Sequence, residues 1–329
     1  MSRGFRKVTI VIPVWNSGKW IAGCLSSLSC QTYTNFDVVL VDNGSEDGSI
    51  EVVKKATIPN LSIISLKKNY GFAVAVNVGV KSTKTPYVAL LNVDTLPDSH
   101  WLERLVDAMD KAPDYVTSLA SKMLIMDSPE LIDSAGDLLS WYGTARKRGH
   151  GEDKGKFDQQ DCVFSACAGA ALYRASLFNE VGYFDERFTS YFEDIDLGFR
   201  EKLYGYKTLY VPEAIVLHQG HSAGVTGGYY VFLLTRNRLL TLIKNVPVAG
   251  CFRHLFQILY GQLYFLLVYK HPMASVRGYL SAFFLLPDVL KDRKKIQASR
   301  KEKLTVVDNI LDSTLGEPSL IALLWKKIL

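Results

Sequence analysis

Val8-Thr9-Ile10-Val11-Ile12-Pro13-Val14 and, after a helical pattern over 20–29, Asp37-Val38-Val39-Leu40-Val41-Asp42 are the stretches that decide the fold. Both are short β-branched apolar runs ending in a turn-forming or polar residue, the pattern of strands buried on both faces of a parallel sheet. Ser45-Glu46-Asp47 then offers a cap and an acidic first turn for a second helix. The alternation continues with a strand over 61–65, a helix near 72–82, a strand over 87–92 and a helix over 99–110. Strand and helix in regular turn predict an α/β fold, a doubly wound and mostly parallel sheet with flanking crossover helices. No G-x-G-x-x-G follows the first strand, which disfavours a dinucleotide-binding enzyme. Ligands in such a sheet still collect at the carboxyl ends of the strands, where Asn16, Asp42 and Asp94 fall.

Further along, residues 127–160 are polar and rich in Gly, Asp and Lys, and read as a long surface excursion outside the core. A strand over 162–173 and a helix over 175–181 follow, and Glu193-Asp194-Ile195-Asp196 opens another helix. From 229 to 290 the chain turns to Leu, Phe and Tyr interrupted by Arg236, Arg238, Lys244, Arg253, Lys270 and Arg277. Its longest uncharged stretch, 255–269, has fifteen residues. About twenty are needed to cross a bilayer, so the expectation is helices that lie at a membrane surface rather than span it, with buried core helices as the bland reading. Two regions result: a catalytic-type α/β domain over 1–228, with halves at 1–98 and 99–228, and a helical C-terminal region over 229–329.

The chain has 329 residues, 48% of them hydrophobic, with a formal charge of +5. Residues 291–303 alone carry seven basic and two acidic side chains, a net +5 that equals the excess of the whole protein. A general nucleic-acid-binding face is therefore disfavoured, while a local tail facing anionic headgroups or phosphates is favoured. Five cysteines without a C-x-x-C pair give neither a disulfide framework nor a zinc cluster, and residues 1–7 hold no apolar signal-peptide core. A reducing cytoplasm is the expected compartment.

Ile12-Pro13-Val14-Trp15-Asn16, Val41-Asp42-Asn43-Gly44-Ser45-Glu46-Asp47-Gly48-Ser49, Asn69-Tyr70-Gly71-Phe72-Ala73 with Asn77, Asn92-Val93-Asp94, Phe184-Asp185-Glu186-Arg187-Phe188, Tyr191-Phe192-Glu193-Asp194-Ile195-Asp196-Leu197 and His218 occur in that order. Together, across 8–245, they make the chain resemble a family 2 glycosyltransferase of GT-A fold, nearest the bacterial rhamnosyltransferase-like members that extend lipid-linked glycans. The resemblance implies an inverting, metal-dependent hexosyltransferase of cell-envelope polysaccharide biosynthesis, on the cytoplasmic face of the membrane. The donor it favours is dTDP-L-rhamnose, and the acceptor is a hydroxyl of a lipid-linked or growing glycan. A UDP-sugar (Gal, Glc or GlcNAc) donor is one alternative. A non-catalytic nucleotide- or carbohydrate-binding scaffold is the other. Partners on this reading are the donor, the acceptor and an anionic membrane surface, with a homo-oligomer left open.

Donor contacts are expected from Pro13, Val14, Trp15, Asn16, Asp42, Asn43, Asn69, Gly71, Asn77, Asn92 and Val93. Asp42 reads equally as a turn acid before Asn43-Gly44, and Asn77 as a polar helix residue. Asn92-Val93-Asp94 looks like the family's D-x-D element with Asn in its first position, which leaves Asp94 as the carboxylate for Mg²⁺ or Mn²⁺. By resemblance His218 completes that metal site, with His221 as the neighbouring competitor. A diphosphate leaving group needs its growing charge neutralised, and mixed carboxylate and imidazole ligands suit such a cation. Inversion needs a base opposite the leaving group, and Asp194 matches the family's base position. Neighbours on a helix point about 100° apart per residue, so Glu193, Asp194 and Asp196 cannot all face the sugar. Glu193 then orients acceptor or donor, with the acceptor side expected, and Asp196 can instead pair with Arg200 at i, i+4.

Overall fold

The computed structural model describes residues 6–56, 58, 60–220 and 226–317, which form two compact units. The first takes in the chain up to Asp137, then Lys147–Glu201 and the residues from Tyr206. Its sheet begins with β1 (Val8–Val14), β2 (Phe36–Asp42), β3 (Leu61–Ser65), β4 (Tyr87–Leu91), β5 (Thr95–Pro97), β6 (Val116–Ile125) and β7 (Ser128–Ser134). A short pair, β8 (Asp137–Leu139) and β9 (Ala145–Lys147), stands outside it, and β10 (Asp161–Val163), β11 (Ala170–Arg174) and β12 (Lys207–His218) complete it.

The order is β10-β12-β6-β11-β4-β1-β2-β3, with β5 also on β12 and β7 also on β6. Strands β3, β2, β1 and β4 run parallel, as the alternating sequence requires. Strand β11 is antiparallel to both β4 and β6, and β12 returns parallel to β6. Helices α1 (Gly18–Ser29), α2 (Ser49–Lys55), α3 (Phe72–Ser82) and α4 (Trp101–Lys111) follow the parallel strands, and α5 (Ala175–Val181) and α6 (Glu193–Leu203) come later. Helix α3 seats so closely on β1 that a Cβ at Gly79 would lie 2.3 Å from Val11 Cγ1.

Two expectations need correction. Residues 127–160 are no simple surface excursion, because β7 joins the main sheet and Ile132, Ala135, Leu139 and Trp141 are buried. Their apolar positions are too scattered among charged residues to show as a run. The strand expected over 162–173 is two short ones, β10 and β11, on different partners.

The second unit holds Leu138–Arg146, Lys202–Gly205 and the described residues from 226 onward. Its helices are α7 (Gly227–Asn245), α8 (Val248–Arg253), α9 (Leu255–Val268), α10 (Pro272–Ser299) and α11 (Leu304–Ile310). Trp141 stacks on His254 with ring centroids 3.7 Å apart, and Gly278 brings α10 against the Phe232 carbonyl of α7.

Within the first unit, α6 is pinned by a buried ion pair. Arg200 donates from Nε to Asp196 Oδ2 at 3.0 Å, and its remaining nitrogens donate to the carbonyls of Val181, Gly182 and Tyr183. The i, i+4 pairing expected of Asp196 is present, and it ties the helix to the turn before Phe184. Arg200→Met leaves a buried carboxylate without this cation and is expected to cost about 3–5 kcal/mol. Urea unfolding measures it, and a loss below about 0.5 kcal/mol, typical of surface changes, would contradict this role.

Candidate functional site

The loops at the carboxyl ends of β1 and β2 are laced together by short side chains. Asn16, in the left-handed region at φ 46°, accepts the Glu46 amide on Oδ1 at 2.8 Å, and its own amide donates to Ser45 Oγ. Asp42 Oδ1 accepts the Ser45 amide at 2.9 Å. Trp15 beside them is exposed, Pro13 is partly exposed and Val14 is buried.

Asn43 is buried and extends the lacing to the third loop, donating to Asn69 Oδ1 and the Gly71 carbonyl and accepting the Tyr70 amide. Gly71, at φ 95°, lies where a Cβ would come within 2.5 Å of Thr189 Cγ2. Asn77 is also buried. Its amide nitrogen donates to the Phe184 carbonyl and Glu186 Oε1, and its oxygen accepts the Phe184 amide. Asn43 and Asn77 therefore act as braces in this arrangement, whereas Trp15, Asn16 and Asn69 face solvent.

Asn92 and Val93 lead from β4 into Asp94, and β5 then pairs antiparallel with β12 so that Thr95 lies opposite His218. That register brings Asp94 Oδ2 to 3.5 Å from His218 Nε2. Both residues are buried. On its other side, His218 Nδ1 is 2.8 Å from Asp133 Oδ2, and Lys147 Nζ donates to both Asp133 oxygens at 2.8 Å. Burial pushes the Asp133 carboxyl up, but the His218 hydrogen bond and the charge of Lys147 outweigh it and hold Asp133 well below the ordinary carboxylate range. An ionised carboxylate only accepts, so Nδ1 carries a proton, and Nε2 is the ring atom left facing Asp94.

His221 lies outside the described residues. Among the described residues, no group of three or more His, Cys, Asp and Glu side chains is placed to hold a metal by itself. Asp94 and His218 nevertheless fit a divalent cation that takes its other ligands from a diphosphate, since both are buried, adjacent and of suitable donor type.

A second cluster forms at the start of α6. Thr189, Tyr191 and Phe192, all non-glycine, have φ of 66°, 68° and 70°. Such conformations cost about 1–3 kcal/mol each and persist where surroundings impose them, here where they aim Glu193 and Asp194. Asp194 is half-buried and accepts the Ile195 amide at 2.8 Å and the Ala168 amide at 3.3 Å. Burial raises its pKa, and these amides oppose the rise.

Glu193 is buried, with Oε2 lacking a hydrogen-bond partner, and burial followed by the charge of Asp194 pushes its pKa well up. Asp137 is pushed up by burial and then by Asp194, although Ser165 Oγ donates to it at 3.0 Å. Burial thus pushes all three neighbouring carboxyls up, and the charge of Asp194 pushes Asp137 and Glu193 further. Asp133, Asp137 and Lys147 were not singled out from sequence. The only trace is Ile132 and Ala135 flanking Asp133-Ser134, too short a pattern to mark a site.

A family model described as "Glycosyl transferase family 2" matches residues 9–182. The chain is 29% identical over 330 residues to the N-acetylglucosaminyl-diphospho-decaprenol L-rhamnosyltransferase of Mycobacterium tuberculosis, covering 92% of this chain and 99% of that protein. It is 34% identical over 106 residues to glycosyltransferase AglE of Haloferax volcanii, where it spans 35% of the relative and 31% of itself. The solved mannosyltransferase PcManGT from Pyrobaculum calidifontis, in complex with GDP-Man and Mn²⁺, superposes with a TM-score of 0.54 at 17% identity, covering 93% of this chain and 87% of that one. The shared fold is GT-A.

Asp133→Ala is expected to free the His218 ring from its Nδ1–H tautomer, read by long-range ¹⁵N–¹H spectroscopy, and to weaken Mn²⁺ binding roughly 10- to 100-fold by EPR titration. An unchanged tautomer and affinity would contradict the arrangement.

Proposed function

The chain belongs to glycosyl transferase family 2, and on that premise we propose that it is an inverting, metal-dependent transferase that moves a sugar from a nucleoside-diphosphate sugar, with dTDP-L-rhamnose favoured, to a hydroxyl of a lipid-linked glycan. The donor and acceptor classes are supported by the mycobacterial rhamnosyltransferase, which is matched over nearly its full length. The observation that carries the reading is chemical: the chain separates a carboxylate cluster around Asp194 from a carboxylate and imidazole pair, Asp94 and His218. The first suits a base and the second suits the phosphate side of the donor.

Asp194 takes the proton of the acceptor hydroxyl. The hydroxyl oxygen forms the new bond to the anomeric carbon while the bond from that carbon to the diphosphate oxygen breaks, and the electron pair leaves with the nucleoside diphosphate. Asp94 and His218 would hold a divalent cation, which would neutralise the charge growing on that leaving group. Glu193 and Asp137, pushed well up by burial and by the charge of Asp194, offer hydrogen-bonding groups to acceptor oxygens. The exposed Trp15 and Asn16 and the buried Asp42 at the β1 and β2 ends offer contacts for the nucleoside.

Asp194→Asn preserves size but cannot take the proton, so transfer should fall on the order of 10²-fold or more, with donor affinity by calorimetry little changed. The wild-type rate should drop as pH falls through a value above the ordinary aspartate pKa, because burial raises Asp194 and the base works only when ionised. Near-normal turnover in the mutant would remove Asp194 from the role. Asp94→Ala and His218→Ala should each weaken donor binding in Mn²⁺, and EDTA should mimic them with the wild type. Full transfer in excess chelator would overturn metal dependence, and a panel of dTDP-, UDP- and GDP-sugars reads the donor directly.

A further inference from the structure

The second unit exposes more large apolar side chains than its own packing uses. On α9, Phe256, Leu259, Leu263 and Leu267 fall on one helix face and are exposed, Phe256 to 86%, while Gly261, Tyr264 and Phe265 turn inward. On α10, Met273, Val276, Leu280 and Phe284 make a second exposed stripe, Phe284 at 77%. The opposite face of α10 buries Ser275, Gly278, Ala282, Val289 and Ile296.

The α10 stripe changes chemistry along its length. At 100° per residue, Pro287, Lys291, Lys294 and Lys295 continue the line of Leu280 and Phe284, and all four are exposed. One helix face is therefore apolar over its first turns, with exposed Arg277 at its edge, and basic over its last. Beside the α9 stripe lies an open hollow of about 500 Å³, lined by Tyr142, Phe256, Gln257, Leu259, Tyr260 and Leu263, with little polar surface to satisfy a peptide backbone. Helix α10 has the length and apolarity to cross a bilayer. Its inner face is nevertheless seated on α7, with a Cβ at Gly278 only 3.3 Å from the Arg236 amide, so lipid cannot surround it.

We propose that these exposed stripes of α9 and α10 lie in the interface of an anionic phospholipid bilayer, with Phe256, Phe284 and the exposed Phe283 that flanks its stripe entering the acyl boundary and Lys291, Lys294 and Lys295 meeting the headgroups. Apolar insertion and headgroup attraction act on the same surface, and either alone binds weakly. Charge decides the occupant: a bilayer of anionic lipid matches a stripe that is apolar and then basic, whereas a second copy would set the lysines against each other if the helices ran parallel and against apolar turns if they ran antiparallel. The inference extends the proposed function, giving its lipid-linked acceptor a surface to meet, but docking is read without donor or acceptor.

The test is flotation of the full chain with phosphatidylcholine vesicles, with and without phosphatidylglycerol, at low and high salt. Wild type should float with the anionic vesicles at low salt and be released by high salt. Lys291→Gln/Lys294→Gln/Lys295→Gln should weaken this roughly 100-fold. Phe283→Ser/Phe284→Ser should lose binding at low salt even though its lysines are intact. Donor hydrolysis in vesicle-free buffer, unchanged in all variants, certifies their fold and keeps failure of docking distinct from failure of the transferase reading. Wild type that stays behind, variants that float equally well, or a dimer dispersed by the same substitutions would each overturn the proposal.

Discussion

The antiparallel register that sets Thr95 opposite His218 is the constraint on which the rest of the site depends. Strand β4 carries the chain to Asp94, and β12 arrives from beyond α6, so the carboxylate and the imidazole meet only because three residues of β5 pair with the last three of β12. The Gln219 amide donating to the Asp94 carbonyl at 3.0 Å closes the same turn. A slip of one residue would send the His218 ring to the other face of the sheet. Strand β6 holds β12 from the other side and, through β7, carries Asp133 to His218.

Electrostatic sorting follows from that geometry. Lys147 stands among acids and raises its own pKa against burial because Cys167, Asp133 and Asp137 surround it. Its ion pair keeps Asp133 ionised beside His218, while at Asp137 burial and the charge of Asp194 outweigh the charge of Lys147, and Glu193 is likewise pushed well up by burial and Asp194. The same residue types are therefore shifted in opposite directions by their different neighbours. The left-handed residues 189, 191 and 192 and the Arg200 anchor hold α6 so that this sorting persists.

The parallel half of the fold was legible because buried β-branched runs and intervening helical spacing are local signals. The Asp94, His218 and Asp194 candidates were legible from ordered motifs, and the structure sets the first two side by side. Asp133, Asp137 and Lys147 were not, since they sit in a polar stretch whose strands form only by pairing with β6 and with each other. Asn43 and Asn77 show the converse. Their motif positions read as ligand contacts, but their amides are taken up by backbone and side chains of neighbouring loops, a partnership that no sequence spacing encodes.

Anomalous diffraction from Mn²⁺ in crystals grown with a nucleoside diphosphate tests the centre of this picture most directly. The expected result is one strong peak within bonding distance of an Asp94 carboxylate oxygen, His218 Nε2 and the diphosphate, with His218 Nδ1 still on Asp133. A peak held by the Glu193, Asp194 and Asp137 carboxylates instead, or a diphosphate bound with no metal at Asp94, would contradict it.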